Sequence, residues 1–372
     1  MSSTVKKILV ALSGGVDSAV SSLVLLEQGY EIETVYVKTW EYEDDLLGDC
    51  PGARDLKDAE AVSKKIGVPF RVLNLMYFYQ ENVVDPMVQG YANGVTPNPD
   101  VLCNREMKFG ALLDYALSEG FSSLATGHYC RRMLGPSGEI ELWEGKDKNK
   151  DQSYFLSRIS PEQLKHAKFP LGDMDKPSVR DLAQRHNLPV AAKKDSQGIC
   201  FLGKVKVPDF LSNFIEDKPG EIVTVNGKIV GQHQGLHRYT LGQRRGIGVP
   251  SNADHENYVV TGKDQGANRL IVAFENRDEP TLWGTEFEVS NLSFLAKVEI
   301  SGPTKLLAKA RYRDPSTPIH LELSGVDRAM IRFEEPQRAL TPGQVLALYQ
   351  GEQVIGAGIY SLQAEGRASL SA

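Results

Sequence analysis

The sequence predicts an α/β chain in which a Rossmann-like parallel-sheet domain precedes a small, mostly β central domain and a C-terminal antiparallel β-barrel. Strand and helix patterns alternate up to about residue 130, and an Asn-Gly turn at 226 joins two strand-like segments. From about residue 282 onward, strand patterns are separated by Gly and Pro turns. We therefore expect domains at 1–208, 209–281 and 282–372.

The first domain is predicted from hydrophobic periodicity. An apolar run ending near residue 12 indicates a strand, and Val16, Ala19, Val20 and Leu23 have the spacing of a helix. The predicted strands are 6–12, 31–39, 70–75 and 122–128, and the predicted helices are 16–28, 53–66 and 105–118. Because such alternation gives a parallel sheet, a ligand is expected at the carboxyl ends of the strands.

The remaining elements follow from caps and turns. Residues 151–215 are predicted to be mostly helical, with Ser178 capping a helix that runs to about His186 and Pro208 opening another. A hairpin is predicted over 221–231. Further strands are predicted at 257–262, 269–274, 285–290, 304–313, 318–323, 329–334, 345–350 and 353–361.

Composition narrows the class of protein. No apolar run reaches the roughly 18 residues that a membrane span requires, and the N-terminus enters a strand too early for a signal peptide. We expect a cytoplasmic chain without a membrane partner. The net charge of −6 argues weakly against nucleic-acid binding, although basic residues cluster locally. Tyr312 between Arg311 and Arg313 is a candidate stacking surface, and a solvated basic face explains the same residues equally well.

The segment 11–18 is the most informative stretch, because it joins a predicted strand to a predicted helix through a Gly pair. Backbone N–H groups at such a helix start attract phosphate, and glycines let the anion approach closely. The loop has neither the lysine of a Walker motif nor the G-x-G-x-x-G pattern. An ordinary strand-to-helix turn would use similar residues. The candidate nucleotide-binding residues are Ala11, Leu12, Ser13, Gly14, Gly15, Val16, Asp17 and Ser18, with Asp17 suited to holding a cation.

Four cysteines occur without a C-x-x-C pair, so a zinc site is not predicted, and the histidines lack ligand spacing. Cys103 falls near a predicted helix start, where the dipole favours a thiolate, and Asp100 lies close enough in sequence to move protons. Cys200 follows two lysines and a Gly-bearing loop. Taken alone, the local sequence favours a buried core residue for either thiol. Cys50 and Cys130 are predicted to be structural.

Several segments in a fixed order resemble the bacterial tRNA-specific 2-thiouridylases, which are PP-loop ATP pyrophosphatases. The resembling segments are 13–18, 96–100 leading to Cys103, 126–129, 150–154, 195–201, 240–246 and 310–313. The resemblance covers the whole chain. It implies that domain 1–208 is a PP-loop catalytic domain.

The resemblance implies a two-stage reaction. ATP with Mg²⁺ adenylates C2 of the wobble uridine in tRNA, which turns a poor leaving group into AMP and releases pyrophosphate. A persulfide then delivers sulfur and yields 2-thiouridine. The implied partners are tRNA and a sulfur-relay or cysteine desulfurase donor protein, and the chain is expected to act as a monomer.

The resemblance also implies residue roles. Cys200 corresponds to the persulfide carrier, Cys103 to the nucleophile that pairs with it, and Asp100 to a catalytic residue. Val37 and Gly127 join the loop 11–18 in contacting the nucleotide. The implied tRNA contacts are Asn98, Pro99, Asp100, Lys150, Asp151, Gln152, Arg311 and Tyr312.

Two other functions use part of the same pattern. An amidating ligase of the PP-loop class would need the ATP loop, but neither paired cysteines nor the Arg-Tyr-Arg segment. An RNA-binding module with ATP as a structural ligand would leave the run from Pro99 to Cys103 unexplained.

Overall fold

The computed structural model describes residues 6–40, 51–195, 205–250, 256–276 and 279–362. Cys50 and Cys200 lie outside these described residues. The strands are β1 Lys7–Ala11, β2 Glu31–Lys38, β3 Phe70–Asn74, β4 Ser123–Ala125, β5 Cys130–Leu134, β6 Ile140–Glu144, β7 Ala167–Lys168, β8 Gly220–Thr224, β9 Ile229–His233, β10 Tyr258–Asp264, β11 Arg269–Phe274, β12 Trp283–Phe294, β13 Thr304–Lys309, β14 Thr317–Leu323, β15 Ala329–Arg338, β16 Val345–Gln350 and β17 Gln353–Tyr360. The α-helices are α1 Val16–Glu27, α2 Pro51–Ile66, α3 Met76–Tyr79, α4 Asp85–Ala92, α5 Pro99–Leu102, α6 Leu113–Ser118, α7 Pro161–His166, α8 Lys176–Arg185 and α9 Val207–Leu211.

A five-stranded sheet in the order β3-β2-β1-β4-β7 forms the first domain, and its pairs are parallel. The central strand β1 is apolar because both of its faces are covered, and Ile8, Leu9 and Val10 are fully buried. The chain runs from β1 to β2 on one side and later returns to β4 on the other. The strand order therefore reverses beside β1, and this is the position where open α/β sheets bind ligands.

The helix that carries Cys103 begins earlier than the predicted residue 105. Asn98 caps α5 by accepting a hydrogen bond from the Val101 N–H at 3.2 Å, and Pro99 occupies the first turn. A π-helical segment, Cys103–Leu112, continues directly into α6. Cys103 therefore lies one turn inside the helix.

The prediction that Ser178 caps a helix is wrong, because Asp175 is the capping residue of α8. The Asp175 carboxylate accepts a hydrogen bond from the Ser178 N–H at 2.8 Å, which places Ser178 inside the first turn. Residues 151–215 are also less helical than predicted. Their described part contains short helices separated by loops and the two-residue strand β7.

A hairpin that was not predicted, formed by β5 and β6, leaves the first domain and joins the C-terminal sheet. Leu142 and Trp143 of β6 pair with Val354 and Gln353 of β17. The barrel itself has six antiparallel strands in the order β12-β15-β14-β13-β16-β17, and pairing of β12 with β17 closes it. The predicted α/β class and C-terminal β-barrel are confirmed.

The central region is a four-stranded sheet in the order β10-β11-β8-β9. The predicted hairpin is confirmed, with Gly227 at φ 78° in the turn between β8 and β9. A bilayer-spanning helix, long and apolar enough to cross, is not found in the described part of the chain.

A buried ion-pair cluster joins the barrel to the rest of the chain. Lys309 Nζ on β13 lies 2.8 Å from a Glu144 oxygen and 3.0 Å from Asp151 Oδ2, and the three side chains are 4–14% exposed. Asp151 also accepts hydrogen bonds from the Gly145 N–H and from the Ser153 N–H and hydroxyl. The lysine therefore neutralises carboxylates that would otherwise be buried without a counter-charge from the barrel.

Replacing Lys309 with Met is expected to lower the free energy of unfolding by about 3–5 kcal/mol, since it leaves Asp151 buried without a counter-charge, whereas Glu144 keeps its pair with Lys148. Urea denaturation at neutral pH measures this loss. Lys305→Met on the same strand is the matched control. Its partner is Glu334, both side chains are about half exposed or more, and a loss below about 1 kcal/mol is expected. Equal losses in the two variants would contradict the structural role of Lys309.

Candidate active site

The loop between β1 and α1 has a backbone that only glycine supports at one point. Gly14 has a φ of 74°, and a Cβ there would lie 2.4 Å from the Asp55 carbonyl oxygen. The Ser18 hydroxyl donates to the Gly15 carbonyl at 3.1 Å and accepts from the Ser13 N–H at 3.2 Å. Gly15 occupies the cap position before α1 and provides no side-chain cap. The first-turn N–H groups of α1 therefore remain suited to an anion.

The other predicted nucleotide residues gather at the same sheet edge. Ala11 ends β1, Leu12 and Val16 are buried beneath the loop, and Val37 lies near the end of the neighbouring β2. Gly127 follows β4 on the other side. A Cβ on Gly127 would lie 2.9 Å from the Ser18 backbone nitrogen, so this glycine permits close packing against the loop. The fold thus brings the ten predicted nucleotide-binding residues to the carboxyl ends of three adjacent strands.

Asp17 stands at the start of a chain of ion pairs. Its Oδ1 accepts hydrogen bonds from the Tyr129 hydroxyl at 2.7 Å and from Lys176 Nζ at 2.6 Å. Burial, together with the Asp17 charge, raises the pKa of Tyr129, so its hydroxyl stays protonated as a donor. Within the described residues both contacts fall on Oδ1, and the Asp17 side chain is 32% exposed. Its Oδ2 therefore suits a cation.

The Asp195 carboxylate forms ion pairs with three basic side chains beside the loop. Its Oδ1 lies 2.8 Å from Lys176 Nζ and 2.6 Å from an Arg180 nitrogen, and its Oδ2 lies 2.6 Å from Lys150 Nζ. Burial opposes ionisation of this carboxyl, but the hydrogen bonds from Lys150 and Lys176 outweigh burial and lower the pKa of Asp195 to about 2. Asp195 is therefore charged at every physiological pH.

A second cluster fixes the loop from the side of α2. Lys193 Nζ donates to the Gly14 carbonyl at 2.9 Å and to the carboxylates of Asp55 at 2.6 Å and Asp58 at 2.5 Å. Lys176 and Lys193 thus place ammonium groups, each paired with two carboxylates, beside the loop 11–18, which has no Walker lysine. Sequence reasoning did not assign Lys176, Tyr129 or Asp195 to the site, because contacts distant in sequence create their roles. Tyr129 and Asp195 fall within the resembling segments 126–129 and 195–201, whereas Lys176 lies in no such segment.

The predicted tRNA contacts 150–152 have different surroundings. Lys150 is 37% exposed in its pair with Asp195. Asp151 is buried in the cluster with Lys309, and the Gln152 side-chain oxygen accepts from the Tyr129 N–H at 3.0 Å. Of these three residues, Lys150 has the surroundings of a phosphate contact, whereas Asp151 and Gln152 hold the surrounding backbone.

A barrel turn holds the segment that leads to Cys103. The Thr96 N–H donates to the Pro342 carbonyl at 2.8 Å, and the Gln344 amide donates to the Thr96 and Pro97 carbonyls at 2.7 and 3.2 Å. Gly343 has a φ of 90° and packs directly against Thr96. The barrel therefore fixes the approach to Asn98, Pro99 and Asp100.

Cys103 is buried within an apolar cluster and is 1% exposed. Its neighbours in the cluster are Tyr79, Val83, Val84, Met87, Tyr91, Met107, Phe210 and Leu211. Phe210 and Leu211 belong to α9, which begins three residues after 196–204. The segment 196–204, which contains Cys200, thus follows Asp195 near the loop and precedes Val205 at the edge of the Cys103 cluster.

Arg311 and Tyr312 lie where the barrel meets the first domain. The Arg311 guanidinium donates to the carbonyls of Arg338 and Ala339. The Tyr312 ring lies 4.2 Å from that of Phe155, with the Arg313 guanidinium 5.4 Å from its centre. Tyr312 and Lys309 also line a polar cavity of about 300 Å³.

His128 and Cys130 occupy packed positions. Burial and the Lys108 charge hold the pKa of His128 well below its ordinary value, and Nδ1 lies 2.7 Å from the Thr126 hydroxyl. Burial, with a contribution from Asp151, raises the pKa of the Cys130 thiol. Both groups are therefore neutral at physiological pH, and Cys130 is buried in the core as predicted.

The pH dependence of stability should report the burial of His128. The unfolded chain binds a proton at this position below about pH 6.5, whereas the folded chain does not, so acid favours unfolding. Relative to His128→Asn, the wild-type chain should lose about 1.4 kcal/mol of unfolding free energy between pH 7.5 and pH 5.5. Urea titrations at both pH values measure the difference. A difference independent of pH would show that His128 titrates normally in the fold.

Three family models match consecutive parts of the chain. They are described as the tRNA methyl transferase HUP domain over residues 6–204, the tRNA methyl transferase PRC-barrel domain over 208–274 and the aminomethyltransferase beta-barrel domain over 284–360. The first of them alone covers more than half of the chain.

Curated relatives match over nearly the full length. The tRNA-specific 2-thiouridylase MnmA of Akkermansia muciniphila is 47% identical over 95% of this chain and 98% of its own length. The protein of that name from Pseudomonas savastanoi pv. phaseolicola is 44% identical over 97% of this chain and 95% of its own length. Among solved structures, the NMN synthetase of Francisella tularensis is 14% identical, with a TM-score of 0.34 over 54% of this chain and 69% of that one. The family models and the near-full-length relatives together show that this chain belongs to the family of tRNA-specific 2-thiouridylases.

Proposed function

We propose that this chain is an ATP-dependent tRNA sulfurtransferase that converts the wobble uridine of tRNA into 2-thiouridine, with release of AMP and pyrophosphate. The observation that carries the proposal is the Ser-Gly-Gly-Val-Asp-Ser loop at the sheet edge, combined with family membership. The loop supports binding of the ATP phosphates by the first-turn N–H groups of α1. Lys176 and Lys193 lie beside it, and each of them shares its charge between two carboxylates.

The first stage activates the base. The C2 oxygen of uracil attacks the α-phosphorus of ATP, the α–β bond breaks, and pyrophosphate departs. Donors fixed before the reaction stabilise the charge that develops on the phosphoryl oxygens. The Asp17 carboxylate would hold Mg²⁺ through Oδ2, since Tyr129 and Lys176 contact Oδ1, and the ion would supply charge neutralisation for the departing pyrophosphate.

The second stage transfers sulfur and involves Cys103 and Cys200. In one route, the terminal sulfur of a Cys200 persulfide attacks C2 and displaces AMP, and the Cys103 thiolate then attacks Cys200 Sγ to release the thiolated base. In the other, Cys103 attacks the persulfide first, and the hydrosulfide released attacks C2. Both routes end with one Cys103–Cys200 disulfide, which an external thiol must reduce. Asp100, one helical turn before Cys103, is placed in sequence to move a proton.

The position of Cys200 in the chain supports this pairing. Cys200 is the fifth of the nine residues 196–204, which connect Asp195 at the ATP loop to the apolar cluster around Cys103. Five residues of extended chain span at most roughly 18 Å, so the sequence alone limits how far Cys200 can lie from Asp195 and from Val205.

The recognition of RNA would combine stacking with phosphate contacts. Single-stranded loops are usually read with their bases splayed out and stacked on aromatic or guanidinium groups. Tyr312 with Arg313 forms such a surface at the domain junction, and Lys150 supplies a cation near the ATP loop. The sulfur donor would be a relay protein or a cysteine desulfurase, and the chain is proposed to act as a cytoplasmic monomer.

The family models carry a methyltransferase description, which names a different reaction from that of the curated relatives. Sulfur transfer is favoured here because it gives roles to an ATP pyrophosphatase loop and to two cysteine motifs. Methyl transfer would leave both without a role. An amidating ligase would use the loop but not the cysteines.

The test is incubation with unmodified tRNA, magnesium ATP, a persulfide source and a thiol reductant, followed by mass spectrometry of the digested nucleosides. A wobble uridine in which sulfur has replaced oxygen, formed together with AMP and pyrophosphate, is the expected product. Folded protein that binds ATP yet leaves the tRNA unthiolated would refute the proposal and favour the ligase.

A further inference from the structure

Four charged side chains form an unbroken line from the predicted RNA contact to the ATP loop. Lys150 Nζ lies 2.6 Å from Asp195 Oδ2, Asp195 Oδ1 lies 2.8 Å from Lys176 Nζ, and Lys176 Nζ lies 2.6 Å from Asp17 Oδ1. The two ends differ in exposure, since Lys150 is 37% exposed whereas Lys176 is 12% exposed. An anion from solvent therefore reaches Lys150 more easily than it reaches Lys176.

Asp195 is the fixed member of this line. Arg180 donates to its Oδ1 at 2.6 Å and also to the carbonyls of Ala191 and Lys193 at 3.0 and 2.5 Å. The guanidinium thereby holds both the carboxylate and the backbone that leads to it. When a nearby charge changes, the side chains that move are those of Lys150 and Lys176, because they are longer and have more rotatable bonds than that of Asp195.

The ammonium of Lys176 is shared between two carboxylates. Because its side chain is largely buried, its hold on Asp17 depends on how strongly Asp195 attracts it. Lys150 competes for the same Asp195 charge. Removal of Lys150 from Asp195 would strengthen the Lys176–Asp195 pair and weaken the Lys176–Asp17 pair. Asp17 would then have more negative charge to offer a metal-bound triphosphate.

We propose that this line of ion pairs couples tRNA binding to ATP binding. A tRNA phosphate that draws Lys150 away from Asp195 shifts Lys176 toward Asp195 and prepares Asp17 for magnesium ATP. The inference rests on the proposed function, because it uses Lys150 as an RNA contact and Asp17 as an ATP contact. Since coupling between two binding sites is reciprocal, ATP tightens tRNA binding by the same factor.

The experiment measures the Kd of magnesium α,β-methylene-ATP, which cannot be cleaved at the reacting bond, with and without saturating unmodified tRNA. The wild-type chain should bind this analogue about tenfold more tightly when tRNA is present, within the range usual for coupled sites. In Asp195→Asn the ratio of the two constants should fall to about one. A residue with a merely structural role would alter both constants and leave their ratio unchanged.

Two further variants complete the design. Lys150→Gln changes a partly exposed side chain, so it can test the same line of ion pairs if Asp195→Asn fails to fold. The ratio of its two Kd values should also be about one. Asp181→Asn is the matched control on α8, because Asp181 pairs with Arg185 at the surface and its ratio should stay about tenfold. A wild-type ratio near one, or a tenfold ratio in Lys150→Gln or Asp195→Asn, would overturn the coupling. Failure of the wild-type chain to thiolate tRNA would instead refute the proposed function.

Discussion

Replacement of Cys200 with Ser is expected to reduce tRNA thiolation by about a thousandfold or more, while the affinity for ATP stays the same. The oxygen analogue cannot carry a persulfide, so both routes of sulfur transfer lose their sulfur atom. Adenylation precedes that step and uses the loop at Gly14 and Asp17. The variant should therefore still release pyrophosphate when tRNA is supplied. Nucleoside mass spectrometry and a pyrophosphate assay measure the two stages separately.

Cys130→Ala is the control for this experiment. Cys130 is fully buried in the core, and burial raises the pKa of its thiol. The substitution removes a thiol that is not a nucleophile in the reaction. It should lower the free energy of unfolding by about 1 kcal/mol or somewhat more. The thiolation rate should be retained at a temperature where the variant is folded. Normal thiolation by Cys200→Ser would contradict the carrier role and leave the paired cysteines without a function.

The fold class was predictable because it depends on local signals repeated over many residues. Apolar periodicity identified β1, α1 and β2, and the Asn226-Gly227 turn identified the central hairpin. The β5–β6 hairpin, which lies between the predicted strand 122–128 and the stretch predicted to be mostly helical from residue 151, was not predicted. Its pairing with β17, more than 200 residues later in the chain, has no local sequence signal.

The site was predictable only where a motif is contiguous. The loop 11–18 could be recognised because its glycines meet a local backbone requirement, visible as the φ of 74° at Gly14. The role of Lys176 could not be predicted, since it depends on a contact with Asp17, which is 159 residues away in sequence. Asp151 shows the opposite case. It belongs to a motif, but burial beside Lys309 gives it a packing role that the sequence alone does not reveal.

Replacement of Asp17 with Asn is expected to lower tRNA-dependent pyrophosphate release by about a hundredfold to a thousandfold, with the RNA affinity measured without ATP nearly unchanged. Asn keeps the size of the side chain but removes the charge that binds Lys176 and would hold Mg²⁺. Steady-state pyrophosphate release at saturating tRNA measures the loss, and filter binding measures RNA affinity. The loss should fall on kcat as well as on the KM for ATP, because the departing pyrophosphate loses its counter-charge.

Asp114→Asn provides a charge-matched comparison for this variant, since Asp114 is exposed on α6 and lies far in the chain from the loop. It changes the net charge by the same amount, so a general electrostatic effect on tRNA binding would appear in both variants. Only Asp17→Asn should lose pyrophosphate release. Retained release in Asp17→Asn would mean that the loop binds ATP without this carboxylate. The ion pair with Lys176 would then serve the stability of the fold rather than the reaction, and unfolding titrations of the two variants would show that difference.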